Sequence, residues 1–258
     1  MNATVRGTYI AERRLPRLYV RHSLARGTAV ELEPGQARYL HVVLRLDLGA
    51  SVMAFNDADG EWLCRIAEIG KRRMRLAVDE QLRSPQLETD LWLMFAPIKR
   101  ARLDWLVEKA TELGVATLLP VWTARTQSER INLERLQAHA IEAAEQSERL
   151  SIPELRRPEA LDKTLAGWPA ERRLIVCDES GAGQPIAEAA GRLPPGPTAL
   201  LIGPEGGFNE RELDALGKLP FVTRVGLGPR VLRAETAALA GLAVLQAIAG
   251  DWRHIRTR

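Results

Sequence analysis

The residues best suited to bind a ligand lie in two glycine-rich segments near the end of the chain. The first, Gly203–Gly207, follows a run of aliphatic residues, and the second, Gly226–Ala234, precedes an apolar helical pattern. Glycine permits positive φ angles and lets backbone amides and carbonyls approach a ligand closely. Two such turns about 25 residues apart place two loops at one edge of a parallel sheet, where open α/β folds bind ligands.

These segments lack the glycine patterns that bind phosphate groups. The chain has no GxxxxGK[ST] sequence, and a dinucleotide fingerprint that begins at Gly226 and Gly228 would need its third glycine where Val231 stands. Two glycine loops without a phosphate cradle fit an adenosyl ligand that carries no phosphate, such as S-adenosylmethionine (SAM). Either turn by itself favours an ordinary connection between a strand and a helix, so the binding hypothesis depends on the pair.

The positive charge of the chain is concentrated in its first third. Up to Arg83 there are 14 Lys and Arg residues against 10 Asp and Glu, whereas the remainder has 22 against 23. This distribution is compatible with phosphate contact by the N-terminal part, but charge alone favours a solvated, arginine-rich surface. Cys64 and Cys177 lack a metal-type spacing, which predicts structural thiols in a cytoplasmic protein and no metal site. We expect no membrane span, because no apolar run approaches the roughly 20 residues required.

Two patterns of secondary structure divide the chain into two predicted domains. Residues 16–84 are mostly short strands, with a hairpin signal at Asp59-Gly60 and one helix at 35–46, and predict a small β-barrel-like domain. Residues 85–258 alternate strands with helices, which predicts an α/β domain on a largely parallel sheet. Residues 1–15 are predicted to be a poorly ordered extension.

The final predicted helix, 234–249, is apolar on nearly every side. A helix without a polar face must be buried all round. One flank can cover the sheet, and we expect the other to form a homodimer interface. A central helix within the monomer core is the alternative.

Motifs at both glycine-rich segments resemble those of the RsmE family. They are Ile202-Gly203-Pro204-Glu205-Gly206-Gly207 and Leu227-Gly228-Pro229-Arg230-Val231-Leu232-Arg233-Ala234-Glu235-Thr236. Similar family motifs occur upstream: Lys109-Ala110-Thr111-Glu112-Leu113-Gly114-Val115, Glu145-Gln146-Ser147-Glu148-Arg149 and His41-Val42-Val43-Leu44-Arg45. The resemblance runs from residue 16 to about residue 250, and Glu148 stands where the family often has glycine.

The RsmE family consists of SPOUT-class methyltransferases that use SAM to methylate N3 of a uridine in small-subunit (16S) ribosomal RNA. The resemblance therefore implies an N-terminal PUA-like RNA-binding barrel at 16–84 and an α/β SPOUT domain with a trefoil knot at 85–258. It also implies an obligate homodimer. The expected binding partner of this dimer is small-subunit ribosomal RNA, either free or within the assembled subunit.

The resemblance also assigns binding residues. Those expected to hold SAM are Glu179, Ile202, Gly203, Pro204, Glu205, Gly206, Gly207, Leu227, Gly228, Leu232 and Ala234. Those expected to contact RNA are Arg17, Arg21, Arg45, Lys71, Arg72, Arg73, Gln146 and Arg149.

Arg233 and Glu235 are the candidate catalytic residues. Uracil N3 must lose its proton before it can attack a methyl carbon. The Arg233 guanidinium stays charged and offers forked donors, so it could stabilise charge on a uracil carbonyl or hold a phosphate. Glu235 could accept the N3 proton, although a carboxylate in the first turn of a helix is also favoured electrostatically.

Three other functions remain open at the level of the sequence. The chain could be a SPOUT methyltransferase that acts on another RNA or at a ribose 2′-OH. It could be a non-catalytic RNA-binding or assembly factor, although the retained glycines, Arg233 and Glu235 argue against this. A nucleotide-dependent enzyme for small molecules fits the α/β part but leaves the basic barrel unexplained.

Overall fold

The computed structural model describes residues 15–70, 73–86, 88–127 and 130–253. These residues form two units. The first contains the described residues before position 88 together with Glu145–Ile152, and the second contains Glu88–Ala144 and the described residues from Pro153 onward. Apart from residue 15, the predicted N-terminal extension lies outside the described residues.

The first unit is built on one curled sheet of five strands. They are β1 (Arg17–Tyr19), β2 (Ala29–Glu31), β3 (Ser51–Asn56), β4 (Gly60–Ile69) and β5 (Met74–Arg83). Their order in the sheet is β1-β3-β4-β5-β2, with β1 parallel to β3 and the other pairs antiparallel. The predicted hairpin at Asp59-Gly60 is confirmed, because β3 and β4 pair across it and Gly60 has a φ of +78°.

The helical part of the first unit differs from the single helix predicted at 35–46. An α-helix, α1 (Pro34–Arg38), has Pro34 in its first turn and is followed directly by a π-helix over Tyr39–Val43. Leu40 on the π-helix is fully buried in the core of the unit. This anchor holds the segment against the sheet while its neighbouring side chains remain exposed.

The second unit is built on a parallel sheet. Its strands are β6 (Leu91–Phe95), β7 (Thr117–Trp122), β8 (Glu154–Leu155), β9 (Glu159–Ala160), β10 (Arg173–Cys177), β11 (Gln184–Pro185), β12 (Thr198–Ile202) and β13 (Val222–Gly226). Its helices are α2 (Arg100–Glu112), α3 (Leu133–Gln146), α4 (Leu161–Ala166), α5 (Ile186–Gly191), α6 (Glu210–Gly217), α7 (Ala234–Ile248) and a 3-10 turn (Asp251–Arg253). The last two residues of α3 belong to the first unit.

The sheet has the order β11-β13-β10-β12-β6-β7-β8, and β9 pairs with β7. All of these pairs are parallel, which confirms the predicted α/β class. The predicted strands 173–177 and 198–202 are confirmed to the residue, since fully buried parallel strands are continuous apolar runs. The two-residue strands β8, β9 and β11 have no such signal and were not predicted.

Helix α7 buries only one of its apolar sides within the unit. Gly241 lies so close to Leu200 of β12 that a β-carbon at Gly241 would stand 2.7 Å from a Leu200 methyl group. The opposite side carries small and aliphatic residues that are only half-buried or exposed: Leu239, Ala240, Ala243, Val244 and Ala247. The monomer therefore leaves one apolar face of α7 uncovered.

The segment Glu145–Ile152 clusters with the first unit, whereas the sequence pattern had placed it in the second domain. Its backbone carbonyls accept hydrogen bonds from Arg17 Nη2 at Arg149 (2.5 Å) and from Arg83 Nη2 at Glu148 (2.9 Å). Contacts so distant along the chain have no local signature in the sequence.

Among the described residues, no helix is long and apolar enough to cross a membrane.

Candidate active site

The loops that follow the parallel strands lie at the carboxyl edge of the second unit's sheet. The order of strands reverses beside β6, which has β7 on one side and β12 on the other. Ligands of open α/β sheets bind at such a switch point. The two glycine-rich segments follow β12 and β13, so both start at this edge.

The first glycine-rich loop is fixed by its own hydrogen bonds. Gly207 has a φ of +66° and donates its N–H to Pro204 O at 2.9 Å, which closes a tight turn. The loop then enters α6 through a capping box, in which Asn209 Oδ1 accepts from Glu212 N and Glu212 Oε2 accepts from Asn209 N. This capping box was predicted from the sequence and is confirmed.

Glu179 follows β10 and lies against the first glycine-rich loop. A β-carbon added to Gly207 would overlap the Glu179 carboxylate, so any larger residue here would force the Glu179 side chain away from the loop. Glu179 itself is exposed. The structure thus brings the predicted third SAM contact beside the predicted first loop.

Hydrogen bonds connect the loop after β7 to the first glycine-rich loop and to the start of α6. Arg125 Nη1 donates to Gly206 O at 2.9 Å and to Phe208 O at 3.3 Å. The Ala124 amide donates to Glu212 Oε1 at 2.8 Å. Glu212 therefore fixes two loops at once, with one carboxylate oxygen on each.

A buried ion pair holds the loop after β10. The Asp178 side chain is fully buried and accepts from Arg224 Nε (2.9 Å) and Nη2 (2.5 Å), and from the Ser180 amide. Burial acts to raise the pKa of Asp178, but the bonds from Ser180 and Arg224 outweigh it and hold the pKa below its usual range. Gly183 adds a close approach, since a β-carbon there would stand 2.5 Å from the Val225 carbonyl carbon.

The second glycine-rich loop offers open backbone. Gly228 has a φ of +101° and is exposed, and a β-carbon at this position would meet nothing within 4 Å. Leu227 and Leu232 are half-buried and Ala234 is buried. Accessible amides and carbonyls beside apolar side chains fit an adenosyl group, whose base offers hydrogen-bonding edges and whose ring is apolar on both faces.

The two candidate catalytic residues stand at the start of α7 in different environments. Arg233 is the N-cap residue and is exposed, whereas Glu235 is buried in the first turn. Arg102 of α2 lies 3.4 Å from Glu235 Oε1, and Oε2 is buried without a hydrogen-bond partner among the described residues. A buried carboxylate oxygen that lacks a hydrogen-bond partner is uncommon in folded proteins.

The structure contradicts two of the predicted RNA contacts. Arg17 and Arg149 are buried, with 8% and 7% of their surfaces exposed. Arg17 Nε donates to Glu61 Oε1 at 2.5 Å, and its guanidinium stacks 3.5 Å above the Phe55 ring. Arg149 donates to the Ser151 hydroxyl. Both arginines stabilise the first unit, and we do not retain them as RNA contacts.

The other predicted RNA contacts differ in their surroundings. Arg21, Arg45 and Gln146 are exposed in the first unit. Arg73 is exposed but forms an ion pair with Glu68 at 2.7 Å. Lys71 and Arg72 lie outside the described residues.

Four residues around the sheet edge were missed from the sequence: Arg102, Arg125, Asp178 and Arg224. Each acts through partners distant in the chain. Of these four, only Asp178 could have been identified from the sequence, because a charged residue directly after a buried parallel strand lies at the edge where such sheets bind ligands.

Both units match known protein families. Residues 85–246 match the family described as RNA methyltransferase domain, and residues 32–79 match the RNA methyltransferase PUA domain. Among curated proteins, ribosomal RNA small subunit methyltransferase E of Rickettsia conorii is 32% identical over 240 residues. That alignment covers 93% of this chain and 98% of the relative.

Two solved structures resemble the whole chain. A protein from Legionella pneumophila, in complex with bound SAM, is 31% identical with a TM-score of 0.82 and covers 92% of this chain and 99% of its own. Ribosomal RNA small subunit methyltransferase E from Neisseria gonorrhoeae, bound to SAM, is 27% identical with a TM-score of 0.83. It covers 93% of this chain and 100% of its own.

Proposed function

Because this chain belongs to the ribosomal RNA small subunit methyltransferase E family, we propose that it methylates N3 of one uridine in small-subunit ribosomal RNA. It is a SAM-dependent RNA methyltransferase with a PUA domain and a SPOUT-class α/β domain. The observation that carries the proposal is the convergence of the loops after β7, β10 and β12, fixed by Arg125 at Gly206 and by Glu179 at Gly207.

The residues at this edge suit the cofactor. The loops Ile202–Gly207 and Leu227–Ala234, with Glu179, would hold SAM through backbone groups, and the space beside Gly228 is open. When bound, SAM supplies an electrophilic methyl carbon on a sulfonium centre. The role of the chain is to hold the uracil so that N3 faces that carbon, and such positioning accounts for about 7–11 kcal/mol of a barrier in favourable cases.

Two residues complete the proposed chemistry. The N3 proton passes to Glu235, whose Oε2 has no hydrogen-bond partner in the described part of the chain, while Arg102 holds Oε1. The negative charge that spreads onto the uracil carbonyls is stabilised by the exposed Arg233 guanidinium. As the new bond from N3 to the methyl carbon forms, the bond from that carbon to sulfur breaks and its electron pair stays on sulfur.

The proposal also includes the oligomeric state, the topology of the chain and its location in the cell. The uncovered apolar face of α7 forms a homodimer interface, joined by Trp105 of α2, which is 41% exposed. Small residues such as Ala240 and Ala243 on this face allow close approach of two helices.

The second unit carries the trefoil knot of the SPOUT class, and a ribosomal RNA substrate implies a cytoplasmic location.

The decisive experiment is methyl transfer with mapping of the product. Small subunits from cells that lack the modification, and the deproteinised RNA from the same subunits, are incubated with the chain and methyl-labelled SAM. Mass spectrometry of nucleosides then identifies the product. We expect 3-methyluridine at one site; label in a ribose methyl group, or label only in another RNA, would overturn the proposal.

A further inference from the structure

The second glycine-rich loop exposes one apolar side chain that the proposed chemistry leaves unused. Val231 is 86% exposed, which is the highest value among the large apolar residues in the described part of the chain. A single exposed apolar residue is common on protein surfaces and needs no explanation by itself. The position of Val231 is what distinguishes it, because it lies two residues before Arg233 and four before Glu235, the residues proposed to act on uracil.

The loop around Val231 is anchored on its C-terminal side. Leu232 is half-buried and Ala234 is buried at the start of α7, whereas Arg230 and Val231 are exposed. The anchored residues hold the loop against the second unit, and residue 231 projects into solvent beside the proposed site.

The charges that accompany this apolar side chain are all positive. The charged residues of the stretch 227–234 are Arg230 and Arg233, both are exposed, and neither forms an ion pair with a carboxylate of the described residues. An apolar side chain between two cations fits a partner that presents apolar surfaces and negative charge side by side. Unstacked RNA is such a partner, because its bases alternate with its phosphates.

The proposed reaction creates a place for such a side chain. N3 lies on the base-pairing edge of uracil, and enzymes that act on a base take it out of its stack to reach such an atom. The departing base leaves a gap between its neighbours, and the lost stacking opposes the reaction. Proteins that unstack nucleic acid frequently insert an apolar side chain between the bases.

We propose that Val231 is a wedge that enters the RNA stack at the position vacated by the target uracil. Its methyl groups pack against the neighbouring base and lower the free energy of the unstacked state, so more of the bound RNA presents N3 to the site. The inference rests on the proposed function, because it takes uracil N3 as the atom that is methylated.

The test compares Val231→Ala and Val231→Ile with the parent in single-turnover methyl transfer at saturating SAM and RNA. Alanine removes two carbons from the wedge and should slow transfer about tenfold, as expected for the loss of two buried carbons. Isoleucine keeps the branched shape, adds one carbon and should retain at least the parent rate. Calorimetry should give the same SAM affinity for all three proteins, and sedimentation should give the same mass.

A second measurement separates a wedge from a contact with uracil itself. Once the product has been mapped, binding is measured to an RNA fragment whose target nucleotide lacks its base. The gap is present in this RNA from the start, so Val231→Ala should bind it about tenfold more weakly than the parent does. Equal binding by the two proteins would overturn the proposal, because Val231 would then contact the uracil or make no contact with the RNA.

Three results of the rate measurement would also overturn the proposal. They are a parent-like rate in Val231→Ala, an equally slow rate in Val231→Ile, and a slower rate accompanied by an equal loss of SAM affinity or by a change of mass. In the last case the residue would pack against the cofactor or a second copy of the chain.

The inference and the proposed function can fail separately. Methyl transfer by the parent to another base, or only to another RNA, would contradict the proposed function, and the wedge would stand if Val231→Ala were again about tenfold slower. A parent that methylates its uridine no faster than Val231→Ala would contradict the wedge alone. A parent that methylates no RNA would contradict both.

Discussion

The Glu179 carboxylate occupies the space in which a side chain at Gly207 would begin, and this contact joins the loops after β10 and β12. Gly207 also has a φ of +66°, a backbone conformation that favours glycine, and a side chain at this position would displace Glu179. The contact explains why two loops distant in sequence form one binding edge.

Gly207→Ala should abolish SAM binding while the chain stays folded. The added methyl group displaces Glu179, and the left-handed backbone costs about 1–2 kcal/mol. Calorimetric titration with SAM and thermal unfolding measure the two effects. Gly49→Ala is the matched control, because Gly49 also has a positive φ (+82°) but open space around it and lies in the first unit. Equal SAM affinity in both variants would show that the contact is unimportant for the cofactor.

Arg233→Ala should lower kcat by about 100-fold or more, as for loss of one donor to a developing oxyanion. The SAM affinity should stay nearly unchanged, because the guanidinium is proposed to act on uracil. Arg230→Ala removes the same charge from the same loop and serves as the control. Parallel losses of kcat and SAM affinity in Arg233→Ala would contradict this role.

Glu235→Gln should remove most of the activity, by about 100-fold or more, if the carboxylate accepts the N3 proton. Because the amide keeps the size of the side chain, the unfolding midpoint should change little. Single-turnover methyl transfer across a pH series measures the effect. A stable variant that keeps its rate would leave Glu235 with a purely structural role beside Arg102.

The stability of the first unit should depend on Glu61 and on pH. Burial acts to raise the pKa of Glu61, but hydrogen bonds from Arg83 and Arg17 outweigh it and lower the pKa overall. A carboxyl group with a lowered folded pKa stabilises the fold above its unfolded pKa of about 4.3, and this contribution disappears as the pH falls through the folded value.

Glu61→Gln should therefore cost about 3 kcal/mol at neutral pH, because it leaves the buried Arg17 and the half-buried Arg83 without a counter-charge. Denaturant unfolding from pH 7 to pH 3 should show the difference from the parent shrinking below about pH 4. Glu31→Gln, which breaks an exposed pair with Arg75, should change stability by less than about 1 kcal/mol. A pH-independent difference for Glu61→Gln would rule out this linkage.

Val244→Asp should dissociate the proposed homodimer. Val244 lies on the uncovered face of α7, where a buried carboxylate without a partner would be strongly unfavourable. Sedimentation equilibrium should give the monomer mass for this variant and twice that mass for the parent. Glu188→Lys, at an exposed position of α5, is the control for a change of charge. A monomeric parent protein would exclude the interface.

The sequence by itself determined most of the longer elements and the two glycine-rich loops. Buried parallel strands are apolar runs, so 173–177 and 198–202 were visible, and the Asn209 capping box marked the start of α6. Glycines at 203–207 and 228 identified the two loops because their conformations are local properties of the chain.

Only the tertiary structure decided which charged residues stay accessible. The sequence does not distinguish Arg17 and Arg149 from Arg45. In the structure the first two are buried and donate hydrogen bonds to carboxylate, carbonyl and hydroxyl groups, whereas Arg45 is exposed. The placement of Glu145–Ile152 and the ties made by Arg125 and Arg102 depend on contacts between residues far apart in the chain. Such contacts follow from packing and leave no periodic pattern along the chain.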